Sequence, residues 1–441
     1  MATVVERIET DYLVIGAGAM GMAFIDVVLA EDPTAHVVVV DRHASPGGHW
    51  NDAYPFVNLH QPAAFYGVSS MRLGRGGSDL ASLPEIIAYF GEAMRRYVAT
   101  GRLRYLPMSN YLGDGLVGSV LNPDRQIAVT ARRRVVDGTH HNVEVPSVVG
   151  PRYAVDADVD LIPPNGLARL TESREHYVVV GAGKTGIDAV VFLLDRGVSP
   201  EAITWVTPHD SWFWDRSRLQ PQGAMTALVD MLGASVEHPT DEVFAIFEER
   251  GVVFRIDPEV HATKWKCATL SREELAQLRR VDDVVRMGRV ESISRGRITL
   301  TNGVREVPED ALYVDCTANA LASLKPEPIF TDRAITLQSV FMCQQVFSAA
   351  LIAHIELARL SDDARNKLVV PVPHPEVTDD LATGLVRSAR NMIRCHLRFA
   401  WWLSRNRLFL GSHEERRLYL KGSVNMVRYY RRALVTGRGM A

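Results

Sequence analysis

Two stretches of the chain pass from an uninterrupted apolar run to a helical period across a glycine-rich turn. Residues 11–15 (DYLVI) do not alternate, which predicts a short strand buried on both faces. GAGAMG follows, then an apolar helix (MAFIDVVLAED), then a second buried strand over 36–41 (HVVVVD). Strand, turn, helix and strand in this order form the unit of a parallel sheet. The pattern recurs from residue 176. There YVVVGAGKTGIDAVVFLLDRG reads as strand, glycine loop and helix, ended by Gly197, and AITWVTP (202–208) is the strand after it. These two units are the one internal repeat in the chain.

The remaining segments are read in the same way. Ser82 as N-cap, Pro84 and Glu85 in the first turn and Gly101 after the last predict a helix over 82–100. Residues 103–160, rich in valine with scattered glycine and proline, predict strands and hairpins. Residues 223–280 read as charged helices. Alternation over 284–303 predicts a hairpin that turns at Arg295-Gly296. ALYVDCTA (311–318) predicts a buried strand running into a turn, and from about 338 the chain reads as mostly helical, with one apolar helix over 339–356. The fold class expected is α/β, with two Rossmann-like dinucleotide-binding domains and a mostly helical C-terminal segment. Residues 1–165 and 285–340 would build the first domain. Residues 170–285 would form the second, with a helical insertion, and 341–441 the helical segment.

Composition narrows the setting. Of 441 residues, 47% are hydrophobic and 23% charged, as in a globular protein with a large core, and the net charge of −3 offers no general attraction to nucleic acid. No basic and apolar leader precedes the first strand, and no apolar run reaches membrane-spanning length, so a reducing, cytoplasmic protein is expected. The cysteines, Cys267, Cys316, Cys343 and Cys395, have neither CxxC nor metal spacing, so no disulfide, metal site or redox-active thiol is expected. Between Arg387 and Arg438 thirteen Lys/Arg face only Glu414 and Glu415, with Trp401 and Trp402 among them. Contact with a membrane surface is the lesser reading there, against helices that cover the core with solvated arginines. Oligomeric state has no signal in the sequence.

The glycines carry the first chemistry. Gly16, Gly18 and Gly21 form a GxGxxG between strand and helix, where a pyrophosphate would sit on free N–H groups at the helix N-terminus. Asp41, with Arg42 beside it, ends the following strand, where a carboxylate takes ribose hydroxyls. Gly181, Gly183 and Gly186, with Lys184 and Thr185, repeat the motif, but no acid ends the next strand. His209, Arg216 and Arg218 follow instead and lean towards a 2′-phosphate, hence NADP, while Asp210 argues against it. Two such sites imply two cofactors, and a nicotinamide usually meets a flavin in such a pair because hydride passes between them.

DYLVIGAGAMG, VVVVD and then GGHW together resemble the FAD site of the flavoprotein monooxygenases with two dinucleotide-binding folds: the flavin-containing monooxygenases, N-hydroxylases and Baeyer–Villiger enzymes. GAGKTG resembles their NADPH loop, and LYVDCTA their late strand returning to the flavin, with Thr317-Ala318 in place of a Thr-Gly pair. The resemblance covers about residues 8–65, 174–210 and 310–320. The Phe, Gly, His and Trp fingerprint of the Baeyer–Villiger enzymes is missing before the second loop. The resemblance implies FAD and NADPH as cofactors, with Gly48, His49, Trp50, Asp315, Thr317 and Gln338 along the flavin. It implies O2 and a small organic molecule as substrates, and oxygen transfer through a flavin C4a-(hydro)peroxide. It also places the loop GGHWNDAYPFVNLHQP at the flavin, where Asn58, His60 and Gln61 are the candidate catalytic residues. His60 or Gln61 would hydrogen-bond a peroxide, and His60 could move a proton near neutral pH. Two other readings stay open: an FAD oxidase or dehydrogenase with a vestigial NADP site, and a flavin-binding redox sensor or scaffold.

Overall fold

In the computed structural model, which describes residues 3–75, 80–318 and 324–439, both apolar runs are central strands of parallel sheets. β1 (Thr3–Ile15) lies between β2 (Val37–Val40) and β6 (Arg125–Asp137), parallel to both. β3 (Leu103–Leu106) extends the sheet beyond β2, and β19 (Ala334–Thr336) runs beside the end of β6. β4 (Ser109–Gly113) and β5 (Leu116–Ser119) add an antiparallel hairpin, giving the order β3-β2-β1-β6-β5-β4. α1 (Ala19–Glu31) follows the first glycine loop. α2 (Leu83–Ala99) begins where predicted, because Ser82 and Glu85 form a reciprocal capping box.

The second sheet has the order β14-β10-β9-β18-β8 and is parallel throughout. Its strands are β8 (Leu161–Ile162), β9 (Tyr177–Val180), β10 (Ile203–Val206), β14 (Val284–Val285) and β18 (Leu312–Asp315). α3 (Pro164–Leu167) is a single turn, and α4 (Lys184–Asp195) follows the second glycine loop. β7 (Ala154–Val155), β15 (Val290–Ser294), β16 (Arg297–Leu300) and β17 (Gly303–Glu306) form a small sheet beside it, with the expected turn at Arg295-Gly296. Both boundaries of the expected first domain need correction: β8, within 1–165, and β18, within 285–340, join the second sheet, with β15, β16 and β17 beside it. β18, expected in the first domain, pairs with β9, so Asp315 and Thr317 stand beside the second glycine loop, not the first. The run LYVD, buried at every position, fits the centre of either parallel sheet equally well.

Residues 223–280 are also not all helix. After α5 (Ala224–Glu237), two strands separate α6 (Thr240–Glu249) from α7 (Arg272–Leu278), and with one strand before α5 they form a third sheet. Its strands, β11 (Ser211–Asp215), β12 (Val253–Phe254) and β13 (Lys264–Leu270), stand in the order β12-β11-β13. Trp212 pairs with Trp265 and Trp214 with Thr269, so β13 bulges over 266–268 and its alternation is lost to a periodicity reading.

The C-terminal helices share the core of the first sheet. α8 (Gln345–Leu357) packs on α1, and Ala349, Ala350 and Ala353 on its buried surface admit close approach. It begins six residues later than expected, because Met342 has a positive φ of 39° that no helix accommodates. α9 (Asp362–Leu368), α10 (Asp380–Arg405) and α11 (Arg416–Thr436) complete the chain, and α11 lies against α5. Among the described residues, no helix is long and apolar enough to cross a membrane.

Candidate functional site

The carboxyl ends of β1, β2 and β6 open on one cavity of about 540 Å³. Ligands of open α/β sheets bind at such strand ends. Gly16 and Gly18 form its floor at β1, Asp41 and Arg42 its edge at β2, and Gly138, Thr139 and His141 its edge at β6. The loop geometry explains the glycines. A Cβ on Gly21 would fall 2.1 Å from the Gly16 carbonyl oxygen, and one on Gly186 would fall 1.9 Å from that of Gly181. Only glycine lets either helix approach its loop. No side chain caps α1 at Gly18 or α4 at Gly183, which leaves the first N–H groups of each helix for an anion. The residues present therefore fit two pyrophosphates.

The GGHW segment closes over the first loop. Gly48 packs on Gly18, where a Cβ would lie 2.9 Å from the Gly18 Cα, and Gly47 N–H donates to the Ala17 carbonyl at 2.9 Å. Asp41 does more than wait for a ribose. One of its oxygens accepts from Ala17 N–H at 2.6 Å and the other from His43. His43 lies between Asp41 and Asp52, 2.8 Å from each, and is held above its ordinary pKa chiefly by its hydrogen bond to Asp41. Arg42 is exposed at the rim, 3.5 Å from Asp52. His49 stacks on Trp50 at 5.3 Å, and the buried Trp50 donates its indole N–H to Tyr66 at 2.6 Å. Below them, Arg407 from the C-terminal segment donates to the carbonyls of Ala64, Tyr66 and Val68 at 2.7, 2.6 and 3.0 Å.

Asn58, His60 and Gln61 all line this cavity. The His60 carbonyl is held from behind, by the Thr269 hydroxyl and by Arg216 Nε at 3.3 Å. Its ring is different: Nδ1 is buried without a protein partner. Burial, with Lys184 and Arg216 near, pushes its pKa down to about 3. The residue is partly exposed to the cavity, yet Nδ1 itself is buried, so the ring is desolvated there. This corrects one expectation. A ring neutral across the physiological range is a fixed hydrogen-bonding group, not a proton carrier near neutral pH.

At the other end of the cavity stand Lys184 and Thr185, at the start of α4. Lys184 pairs with Asp188, whose other oxygen accepts from Tyr54 at 2.6 Å. That bond ties the polar loop to the second glycine unit. Other expected contacts fall elsewhere. Gln338 spends its amide on the backbone of Glu327 and does not reach the main cavity. Asp315 accepts from its neighbour Thr317, a local cap beside β9. Arg216 is buried and bound to Glu274 at 2.7 Å, so it is not free for a phosphate. His209 is exposed just beyond β10, where Lys264 and Arg289 add to burial in lowering its pKa. Asp210, which argued against a phosphate, pairs with Arg286 at 3.0 Å.

The cavity also holds groups that motif reading passed over. His141 follows β6, in a strand-Gly-Thr-His-His order that marks a strand end as clearly as Gly16 does. Cys267 and Cys343 line the wall and are joined in a disulfide, contrary to the expectation from their spacing. A separation of 76 residues carries no local signal, and only the fold brings the two together.

His49, His141 and His374 are pushed down to about 4 by burial, as His60 is to about 3. Their folded values lie below the unfolded value near 6.5, so the unfolded chain binds more protons between the two. Stability from these groups is complete above pH 6.5 and is lost as pH falls through that window. The melting temperature is therefore expected to decline below about pH 6.5, while His43, whose raised pKa acts in the opposite sense, loses its own contribution as pH rises above that value. His141→Gln should make the decline shallower by about one proton. A melting temperature unchanged down to about pH 4.5 would contradict this.

No family model matches the chain. The uncharacterized protein Rv2000 of Mycobacterium tuberculosis (strain ATCC 25618 / H37Rv) is 45% identical over 390 residues, covering 84% of this chain and 72% of that protein. The uncharacterized protein Mb2023 of Mycobacterium bovis matches to the same extent. Among solved structures, the polycyclic ketone monooxygenase of the thermophilic fungus Thermothelomyces thermophila superposes with a TM-score of 0.55 at 13% identity, over 96% of this chain and 90% of that one. The OTEMO complex with FAD and NADP gives a TM-score of 0.50 at 14% identity, over 78% and 84%. At this identity the likeness establishes the α/β fold.

Proposed function

We propose that this chain, which belongs to the family of the Mycobacterium tuberculosis protein Rv2000, is an FAD-dependent monooxygenase reduced by NADPH. One observation carries the reading: a single cavity runs from the first glycine loop, past His49, Trp50 and His60, to the start of α4 at the second loop. Two dinucleotides bound at those loops would meet inside it. The fold's solved relatives, a polycyclic ketone monooxygenase and OTEMO with FAD and NADP, point the same way.

When bound, the flavin would accept hydride from the nicotinamide and react with O2. The chain's own part is binding, orientation and exclusion of water. The N-terminus of α1 would hold the FAD pyrophosphate, and Asp41 keeps the loop in shape through Ala17. Gly48, His49 and Trp50 would flank the flavin. α8 starts at the cavity with Gln344 and Gln345, so its positive end would favour negative charge on a reduced ring. His60, neutral and unpartnered at Nδ1, has one ring nitrogen to donate and one to accept. Asn58 and Gln61 add amides beside it. At the second loop Lys184 and Thr185 would take the NADP pyrophosphate. His209, with Lys264 and Arg289 close by, replaces Arg216 as the group that would meet a 2′-phosphate. The substrates would be O2 and a small organic molecule, in a cytoplasmic setting. The membrane-surface reading rests on Leu397 and Trp401, 86% and 69% exposed among the arginines of α10. Anaerobic mixing with NADPH tests the assignment: a bound flavin should be reduced, and a flavin that stays oxidised would contradict it.

A further inference from the structure

We propose that Cys267 and Cys343 are a redox-active dithiol–disulfide pair that exchanges with small thiols entering the cavity. Four observations place it beyond the oxygenation chemistry. Both residues are partly exposed and both line the cavity, so a solute reaches the sulfurs without unfolding. Cys267 sits in the bulge of β13 with a φ of 57°, and Met342, just before Cys343, has a φ of 39°. Positive φ at non-glycine residues is unfavourable and persists where the surroundings impose it, often at functional sites. Both arms of the pair therefore stand on backbone held out of its ordinary range. Cys343 immediately precedes Gln344, the N-cap of the 13-residue helix α8, whose positive end favours a thiolate. Finally, a ring nitrogen of the buried His374 lies within 4.8 Å of both sulfurs. His374 Nδ1 is 3.0 Å from the Pro375 carbonyl, to which it donates in the neutral ring, leaving Nε2 as a hydrogen-bond acceptor.

The exchange balances without any bound cofactor. A thiolate of an entering dithiol attacks one sulfur, its new S–S bond forms, and the Cys267–Cys343 bond breaks with its electron pair on the leaving sulfur. The entering molecule's second thiol then displaces the other cysteine. The protein gains two thiols, the small molecule becomes a disulfide, and each released thiolate takes a proton from solvent. In the reverse direction each thiol gives its proton to solvent, and the His374 ring, which burial holds neutral with a pKa of about 4, only accepts a hydrogen bond. Lys266, Glu376 and Asp380 are the charges that face this ring. Because persistent disulfides are rare in the cytoplasm, and those found are catalytic or sensing, the proposed localisation fits a pair that cycles.

Thiol counting on the purified, folded protein tests this. Denatured directly from air, the chain should show two thiols, the buried Cys316 and Cys395. After dithiothreitol is applied to the folded protein and removed, it should show four, and oxidised dithiothreitol should restore two. Iodoacetamide on the reduced, folded protein should modify Cys267 and Cys343 about a hundredfold faster than the other two, whose burial raises their pKa. Cys343→Ala should leave Cys267 as one reactive thiol. Four thiols before reduction, a disulfide reduced only after denaturation, or a stoichiometric metal on Cys267, Cys343 and His374 would each overturn the proposal. None of these readouts depends on flavin turnover, so failure here and failure of the monooxygenase reading are separable.

Discussion

Gly21→Ala is expected to yield a folded protein that has lost its FAD. The added Cβ would fall 2.1 Å from the Gly16 carbonyl oxygen, closer than real Cβ contacts come, and the obstacle is backbone. The loop must move, at a cost of about 1–3 kcal/mol for overpacking. Movement of Gly16 and Gly18 also misaligns the N–H groups that would grip the pyrophosphate, and each charged hydrogen bond lost costs about 1.5–3 kcal/mol. Together these weaken FAD binding by roughly 10²-fold or more. Gly183→Ala is the contrasting control. A Cβ there meets nothing within 4 Å, so the fold and FAD should survive while the second nucleotide binds more weakly. Flavin-to-protein ratio after desalting reads both. Full FAD occupancy in Gly21→Ala would show that this loop does not hold the flavin.

His60→Ala is expected to leave FAD binding and reduction by NADPH intact while raising hydrogen peroxide release per NADPH by roughly 10–100-fold, the worth of one lost hydrogen bond near a charged centre. The substitution is clean. His60 is anchored through its carbonyl, which Thr269 and Arg216 hold, whereas its ring has Nδ1 unpartnered in the protein. Removing the ring therefore takes away little from the fold and one donor from the cavity. Because burial holds the ring's pKa at about 3, the wild-type rate attributable to it should not change between about pH 6 and 8. A titration near 6.5 that disappears in the variant would mean that the ring is solvated and carries protons. Unchanged peroxide release would assign His60 a packing role.

Much of this was legible in the chain. Both βαβ units announce themselves because a buried parallel strand needs an apolar run, and a tight loop under a helix needs glycine at fixed places. The capping box at Ser82 and Glu85 and the turn at Arg295-Gly296 were equally local. What failed was non-local. LYVD could not reveal which of two parallel sheets it joins. Arg216 looked like a phosphate ligand because sequence shows a charge but not its partner, and Glu274 lies 58 residues on. Gln338 was likewise committed to Glu327. The bulge in β13 broke the period that would have marked a strand, and the positive φ at Met342 moved the start of α8 without any sign in its apolar run. Those same two irregularities lie beside Cys267 and Cys343.

The central claim meets its most direct test when the purified protein is mixed anaerobically with NADPH and its flavin absorbance is followed, with O2 admitted afterwards. The flavin band is predicted to bleach with one equivalent of NADPH per chain and to return only once O2 is present. A protein that carries no flavin, or one whose flavin stays oxidised under NADPH, would contradict the account.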